Sequence, residues 1–264
     1  MNAKQRSFRV EAIMLRYNEY GEADRILTLY TRQRGKIRAI AKGVRKVRSR
    51  KAGHLEPFTR VELQLAVGRE MYIVTQAEAK DTFPILRQDL LKMSYATYSA
   101  ELVDKFTYDE EENSAIFRLL VRTLSRLSKD YDPETVIRYF EIHLLDFLGF
   151  RPELQTCVNC GQDVVEQDQF FSSAHGGVLC PKCGQGREGA RPVSQQALKY
   201  MRHFQRSRFR DALRARPAPS IQREQEILQQ HYITYLLERA INSSSFLRRI
   251  RREGQEESLT TEKE

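Results

Sequence analysis

Three features of the sequence predict an α+β fold. Between residues 8 and 80 apolar side chains alternate with a period of two, in short runs separated by glycine-containing turns. From Pro84 onward the period lengthens to 3.6, as in amphipathic helices. Two Cys-x-x-Cys pairs interrupt the helical part, and helical periodicity resumes after Pro192. The expected order is an N-terminal five-stranded β-barrel of the OB type, an α-helical domain, and a four-cysteine, zinc-ribbon-like module inserted within that domain.

The strands come first. Phe8–Tyr17 is rich in Val, Ile and aromatic residues, and a turn follows at Tyr20-Gly21-Glu22. Arg25–Thr31 (RILTLYT) is the second strand, and Lys36–Lys42 the third after a turn at Gln33-Arg34-Gly35. A long non-periodic interval, Gly43–Pro57, leads to Arg60–Val67, where Val61, Leu63, Leu65 and Val67 are expected to face inward. Gly68-Arg69 then turns into Met71–Ala77. Five short strands with one long connection between the third and fourth fit a Greek-key OB barrel; a five-stranded SH3-like barrel has the same pattern.

Charge marks one part of this barrel. The chain carries 44 Lys and Arg against 35 Asp and Glu, a net +9. Residues 1–80 hold 18 basic against 8 acidic side chains, residues 81–156 hold 9 against 14, and the remaining 108 hold 17 against 13. Within the first segment, Arg32–Lys51 holds ten basic residues and no acid. Lys36, Arg38 and Lys42 fall with Ile40 on one face of the third strand, and Ile37, Ala39 and Ala41 on the other. An ordered cationic face running into a basic loop is the footprint of a polyanion site. The candidate nucleic-acid-binding residues are Arg34, Lys36, Arg38, Lys42, Arg45, Lys46, Arg48, Arg50 and Lys51. Tyr30, Phe58 and Tyr72 are the aromatic candidates for stacking on bases, but the core is the more expected place for each.

The helices follow. Leu90–Phe106 is the first. Asn113–Ser128 is the second, with Ile116, Leu119, Leu120, Thr123, Leu124 and Leu127 on one stripe and Arg118, Arg122 and Arg126 expected on the solvent face. The acidic run Asp109–Glu112 suits that helix's N-terminus. The third opens on Asp132 as N-cap and Pro133 at the first position, carries Val136, Ile137, Phe140, Leu144, Phe147 and Leu148, and stops at Gly149. After the cysteines, Ser194 caps a helix to about Gln205, and Ser220 caps a longer one. The expected division is a barrel over 1–80, a helical bundle over 81–153, the cysteine module over 154–190, C-terminal helices over 191–250 packing on the helical domain, and a disordered tail over 251–264.

Cys157 and Cys160 are separated by 19 residues from Cys180 and Cys183, and a glycine follows each pair. Two such turns present four thiolates that complete a tetrahedron, the spacing of a zinc ribbon. A full set of four leaves no open coordination position, so one Zn²⁺ is expected in a structural role. His175, between the pairs, is surplus to that set.

Other chemistries lack their signatures. No G-x-x-x-x-G-K-[ST], no G-x-G-x-x-G and no H-x-E with P-C-x-x-C is present. His143 and His231 lie inside expected helices, and the acidic run reads as an exposed helix start rather than a nuclease site. The chain is read as no enzyme. No run approaches a membrane span, and the N-terminus lacks a signal-peptide core, so a soluble, cytoplasmic protein is expected.

Seven stretches in order, Glu22–Thr31, Gly35–Gly43, Arg45–Arg50, His54–Phe58, Leu148–Pro152 leading into Cys157, Gly176–Cys180 and Ser243–Leu247, together resemble the RecO family of bacterial DNA repair proteins. The resemblance covers roughly residues 8–247. It implies a recombination mediator that binds single-stranded and double-stranded DNA and anneals complementary strands. It also implies partners: RecR, the acidic C-terminal tail of single-strand-binding protein, and RecA indirectly. The helical bundle is the implied seat of that tail, with Arg118, Arg122 and Arg126 as a candidate rim. An RNA-binding barrel with a zinc ribbon is the alternative that the same electrostatics allow.

Overall fold

The computed structural model describes residues 7–238, which fall into two compact units, 7–149 and 150–238. The tail over 251–264 and the Ser243–Leu247 stretch lie outside the described residues.

The first unit opens with β1 (Ser7–Tyr20), β2 (Asp24–Thr31), β3 (Gly35–Ala41), β4 (Arg60–Ala66) and β5 (Tyr72–Asp81), which close into a barrel in the order β1-β2-β3-β5-β4. Every pairing is antiparallel except β3 with β5, where Ala39 faces Tyr72 and Ile40 faces Ile73. The length of β1 lets it pair with both β2 and β4, and a bulge between Met14 and Arg16 supplies the bend that closure demands. This is the OB topology. The core follows from alternation: Val10, Ala12 and Met14 of β1, Leu27 and Leu29 of β2, Ile37, Ala39 and Ala41 of β3, and Val61, Leu63 and Leu65 of β4 are all buried. Val67 does not join them. β4 ends at Ala66, and Val67 enters the turn with its side chain exposed.

In β2, Thr28 and Tyr30 alternate with the core residues yet are also buried. A strand covered on both faces reads as a continuous apolar run, as RILTLYT does. What covers it is helical: the Tyr30 hydroxyl donates to the Asn113 carbonyl at 3.4 Å. Leu15 and Phe58 likewise line a cleft with Thr97 and Ala100 of the first helix. Tyr30 and Phe58 are therefore packing residues.

The helices are α1 (Leu90–Phe106), α2 (Ser114–Leu127) and α3 (Pro133–Phe147), and they pack as a three-helix bundle. Each starts on a side-chain cap. Asp89 accepts from the Leu91 and Lys92 amides, Asn113 from Ala115 and Ile116, and Asp132 from Thr135. The expected stripe of α2 is buried throughout, but Arg126 leaves the solvent face and lies over the Tyr139 ring at 5.1 Å. Phe147, in the last turn of α3, is exposed rather than core. Inside the bundle, Glu141 is fully buried, bonded to Arg138 at 2.8 Å and accepting from Tyr98 at 2.6 Å. A buried carboxylate needs such partners.

The barrel and α1–α2 are joined at one close approach. The Glu110 amide donates to the Lys36 carbonyl at 2.8 Å, and a β-carbon at Gly35 would stand 1.8 Å from the Glu111 carbonyl oxygen. Gly35 is also left-handed, with φ +59°. Gly35→Ala is expected to destabilise this unit by about 2 kcal/mol or more, read as a lowered urea midpoint at unchanged m-value.

The second unit carries β6 (Gln169–Ser172), β7 (Gly177–Leu179) and β8 (Ala190–Val193) in the order β7-β6-β8, with the short α4 (Pro181–Gly184) between β7 and β8. α5 (Gln195–Arg206), the short α6 (Phe209–Ala212) and α7 (219–238) follow. Ser194 caps α5 and is itself held by Glu224 of α7, whose carboxylate accepts from its amide and hydroxyl at 2.6 Å each. Leu198, Met201 and Phe204 of α5, and Leu228, Tyr232 and Leu236 of α7, are buried.

Candidate nucleic-acid interface and metal centre

The long connection after β3 is an ordered cap on one end of the barrel. Val44 and Leu55, 1% and 0% exposed, insert their side chains into the barrel core from its two ends. Between them the backbone is pinned. The Gly43 amide donates to the Asp24 carboxylate at 2.7 Å, the Arg45 amide to the Ala23 carbonyl at 2.9 Å, and the Ser49 amide to Lys46 at 2.8 Å. Beneath, the Arg25 guanidinium stacks on the Tyr17 ring at 3.8 Å and pairs with Glu56 at 3.1 Å. Hydrophobic anchors thus fix a loop whose tip is rich in cations, with Val47 and Ser49 among them.

The nine basic candidates divide by what their charges already meet. Arg38 on β3 and Lys42, Lys46, Arg48 and Arg50 beyond it are exposed, with no carboxylate in ion-pair distance among the described residues. Arg45 pairs with Glu19 at 3.2 Å across exposed surface, which leaves its charge only weakly committed. Lys36 is different. Its side chain is 14% exposed, and its ammonium donates to the Asp104 carbonyl at 2.6 Å and lies 3.3 Å from the Asp104 carboxylate and 3.8 Å from Asp109. The sequence reading set Lys36 beside Arg38 on a free face; instead it fastens the barrel to the end of α1. Lys51 likewise turns inward, donating to the Lys42 and Val74 carbonyls at 3.1 and 3.2 Å, and burial lowers its pKa against the pull of Asp24. These two cations hold the scaffold, and the outer ones face solvent.

Arg34 sits at the opposite end of β3. Its guanidinium lies 4.2 Å over the Phe8 ring and 3.4 Å from the Tyr72 hydroxyl, while Phe8 and Tyr72 meet edge to face at 5.1 Å. Tyr72, half-buried, is thus the one expected stacking residue that reaches the surface. Phe8 was not singled out from sequence. At the start of a strand, its position at the barrel mouth depends on the register with β4, where it faces Leu65.

In the second unit the four cysteines converge. Their sulfur atoms all lie within 4.8 Å of one another, and Cys160 and Cys180 are 3.9 Å apart. Tetrahedral zinc at about 2.3 Å from each thiolate requires sulfurs roughly 3.8 Å apart, so this donor set fits such an ion. The knuckles are local constructs. The Gly161 amide donates to the Cys157 carbonyl at 2.8 Å, and the Gly184 amide to that of Cys180 at 2.9 Å. A β-carbon at Gly184 would meet Phe170 at 2.5 Å, which accounts for the glycine after the second pair. Burial opposes ionisation of Cys157, yet amides around it, including that of Cys180 at 3.3 Å, hold its pKa at about 6. Asn159 donates to Cys183 at 3.4 Å and favours its thiolate, but hydrogen bonds with the neighbouring thiols push it up to about 11. Four thiolates without a cation repel one another. Arg187 orients Asn159 at 2.8 Å and also meets His175 Nε2 at 2.9 Å, while His175 Nδ1 lies 3.0 Å from the Ser172 hydroxyl. His175 is thus a supporting residue outside the cluster.

Comparison with known proteins agrees with both units. Residues 5–83 match the family model for the N-terminal part of recombination protein O, and residues 87–245 match the model for its C-terminal part. The chain belongs to the RecO family. The DNA repair protein RecO of Roseiflexus sp. (strain RS-1) is 40% identical over 94% of this chain and 87% of its own length. That of Symbiobacterium thermophilum is 37% identical over 92% of this chain and 98% of its own length. That of Dehalococcoides mccartyi (strain 195) is 37% identical over 89% and 93%. Among the described residues, no helix is long and apolar enough to cross a membrane.

Proposed function

We propose that this member of the RecO family is a DNA repair protein acting as a recombination mediator. It binds single-stranded and double-stranded DNA through the β3 face and the loop beyond it, and anneals complementary strands. With RecR it helps RecA load onto strands coated by single-strand-binding protein, engaging that protein's acidic tail. The observation that carries this reading is the set of exposed cations, Arg38, Lys42, Lys46, Arg48 and Arg50, held on a loop anchored by Val44 and Leu55. Cations on a fixed surface neutralise phosphates and release counterions, which gives affinity with little sequence preference. Two strands held on one such surface repel each other less, and base pairing completes the duplex. No covalent bond is made or broken, so the activity needs no catalytic residue.

Cys157, Cys160, Cys180 and Cys183 would hold one structural Zn²⁺. The four thiolates would fill its coordination positions, and the ion would supply cross-linking between the two knuckles rather than a reactive site.

The test is annealing of complementary strands without ATP, bare and coated with single-strand-binding protein. Wild type is expected to anneal both. A folded variant with Lys42, Lys46, Arg48 and Arg50 changed to Glu is expected to anneal neither. Annealing retained by that variant, or absent from wild type, would remove the reading, and tighter binding to RNA than to DNA of the same sequence would move it to an RNA target.

A further inference from the structure

Apart from the cationic ridge, a cleft of about 390 Å³ opens between β3, the β4–β5 turn and the segment before α2. Its apolar lining includes Ile37, Met71 and the ring of Tyr72, and its charged lining is Arg38, Arg69, Glu70, Asp109 and Glu110, of which Asp109 lies 3.8 Å from the Lys36 ammonium. The volume is at the small end of the roughly 300–1,000 Å³ span of ligand pockets, room for one base with its sugar. Glu110 is built into this wall. It is a non-glycine residue at φ +61°, its amide is fixed to the Lys36 carbonyl, and one carboxylate oxygen accepts from the Tyr72 hydroxyl at 2.5 Å. Its other oxygen has no hydrogen-bond donor among the described residues.

The mixture of charges decides what fits. A carboxylate only accepts hydrogen bonds, so Glu110 repels a phosphate and seeks a donor edge. Of the four DNA bases, guanine alone sets two donors, N1–H and the N2 amine, side by side. Its O6 acceptor lies next to them, matched by a guanidinium such as that of Arg38 or Arg69. Thymine offers one N–H between two carbonyls that a carboxylate repels, and adenine and cytosine each place an acceptor beside their amine. The half-buried Tyr72 ring, braced edge to face by Phe8, gives the base a stacking partner.

We infer that this cleft takes one unstacked guanine of a bound single strand, and that Glu110 is the residue that selects it. The inference rests on the strand-binding reading above and adds a sequence preference to it. The test is fluorescence anisotropy at one salt concentration, with oligo(dT) and with the same strand carrying a single central guanine, inosine or cytosine. The guanine strand is expected to bind at least about fivefold tighter than oligo(dT), the discrimination of one good bidentate contact. Inosine, which lacks the N2 amine, is expected to lose most of that gain, and cytosine to show little. Glu110→Gln, which keeps the bond to Tyr72, is expected to bring the guanine strand to the affinity that the same variant has for oligo(dT). Equal wild-type affinity for all four strands overturns the subsite while leaving strand binding intact. So does an equal gain for every strand in Glu110→Gln, since Glu110 would then be only a repulsive charge. Failure of oligo(dT) itself to bind overturns strand binding, and the subsite with it. The wild-type comparison of guanine with inosine decides the matter even where the variant does not fold.

Discussion

Replacing Cys157 or Cys180 by serine, or treatment with a strong chelator, is expected to unfold the cysteine module and to remove the zinc proposed for it. The module has little else to stand on. Its sheet consists of strands of three or four residues, and among them Phe171, Val178, Leu179 and Val193 supply most of the buried apolar surface. Structural zinc contributes about 10–16 kcal/mol of apparent binding free energy in small finger peptides at neutral pH. Even a fraction of that exceeds what so few buried side chains provide. Amide hydrogen exchange reads the outcome residue by residue. Protection is expected to vanish at Val158, Val178 and Gly184, whose amides donate to Val178, Glu153 and Cys180. It is expected to persist at the barrel amides of Val61–Leu65, which pair with β1 and β5. A zinc-free variant that kept protection in the module would show that the four thiols are not its cross-link.

The second large effect tests which cations of the proposed DNA-binding surface are free to meet a ligand. Changing Lys42, Lys46, Arg48 and Arg50 to Glu is expected to weaken binding to single-stranded DNA by several hundredfold at 0.1 M salt, and to lower the salt slope by about 3. Each phosphate contact contributes about 0.7 to the slope on single strands, so four lost contacts account for nearly three decades of affinity between 1 M and 0.1 M salt. Lys36→Met is expected to behave oppositely. It leaves Asp104 and Asp109 without their ammonium partner and lowers stability, while the salt slope of the folded fraction stays as in wild type. Measuring slope and urea midpoint on both variants separates a ligand-facing charge from a structural one. A flattened slope in Lys36→Met with unchanged stability would reverse the assignment.

That distinction was not legible in the sequence, and the reason is physical. Alternation from Lys36 to Lys42 gives the face of each side chain correctly, because strand geometry is local. Whether an outward ammonium meets water or Asp104, 68 residues away, depends on how the helices dock. The same holds for Tyr30 and Phe58, which belong to strand and loop by sequence but are buried under helices. Arg126 had the spacing of a solvent face, yet the approach of α3 placed Tyr139 beneath it. By contrast, the five strands, the caps at Asp89, Asn113 and Asp132, and the two cysteine knuckles each rest on contacts within a few residues, and the sequence displays them directly. The acidic segment around Glu110 falls between these cases. Its charge suits the start of α2, but its pairing with the end of β3 is a long-range parallel bridge with no local signature.

The basic loop has one more property, which concerns how freely such a protein can change. Val44 and Leu55 carry the packing, and the residues from Arg45 to Arg50 carry the charge. Substitutions at the tip therefore alter affinity for a polyanion with little penalty in folding, whereas a polar residue at either anchor unseats the whole surface. Selection acting on binding strength and selection acting on stability fall on different residues of the same short loop. The charge of the ridge can thus be retuned one cation at a time without repacking the barrel.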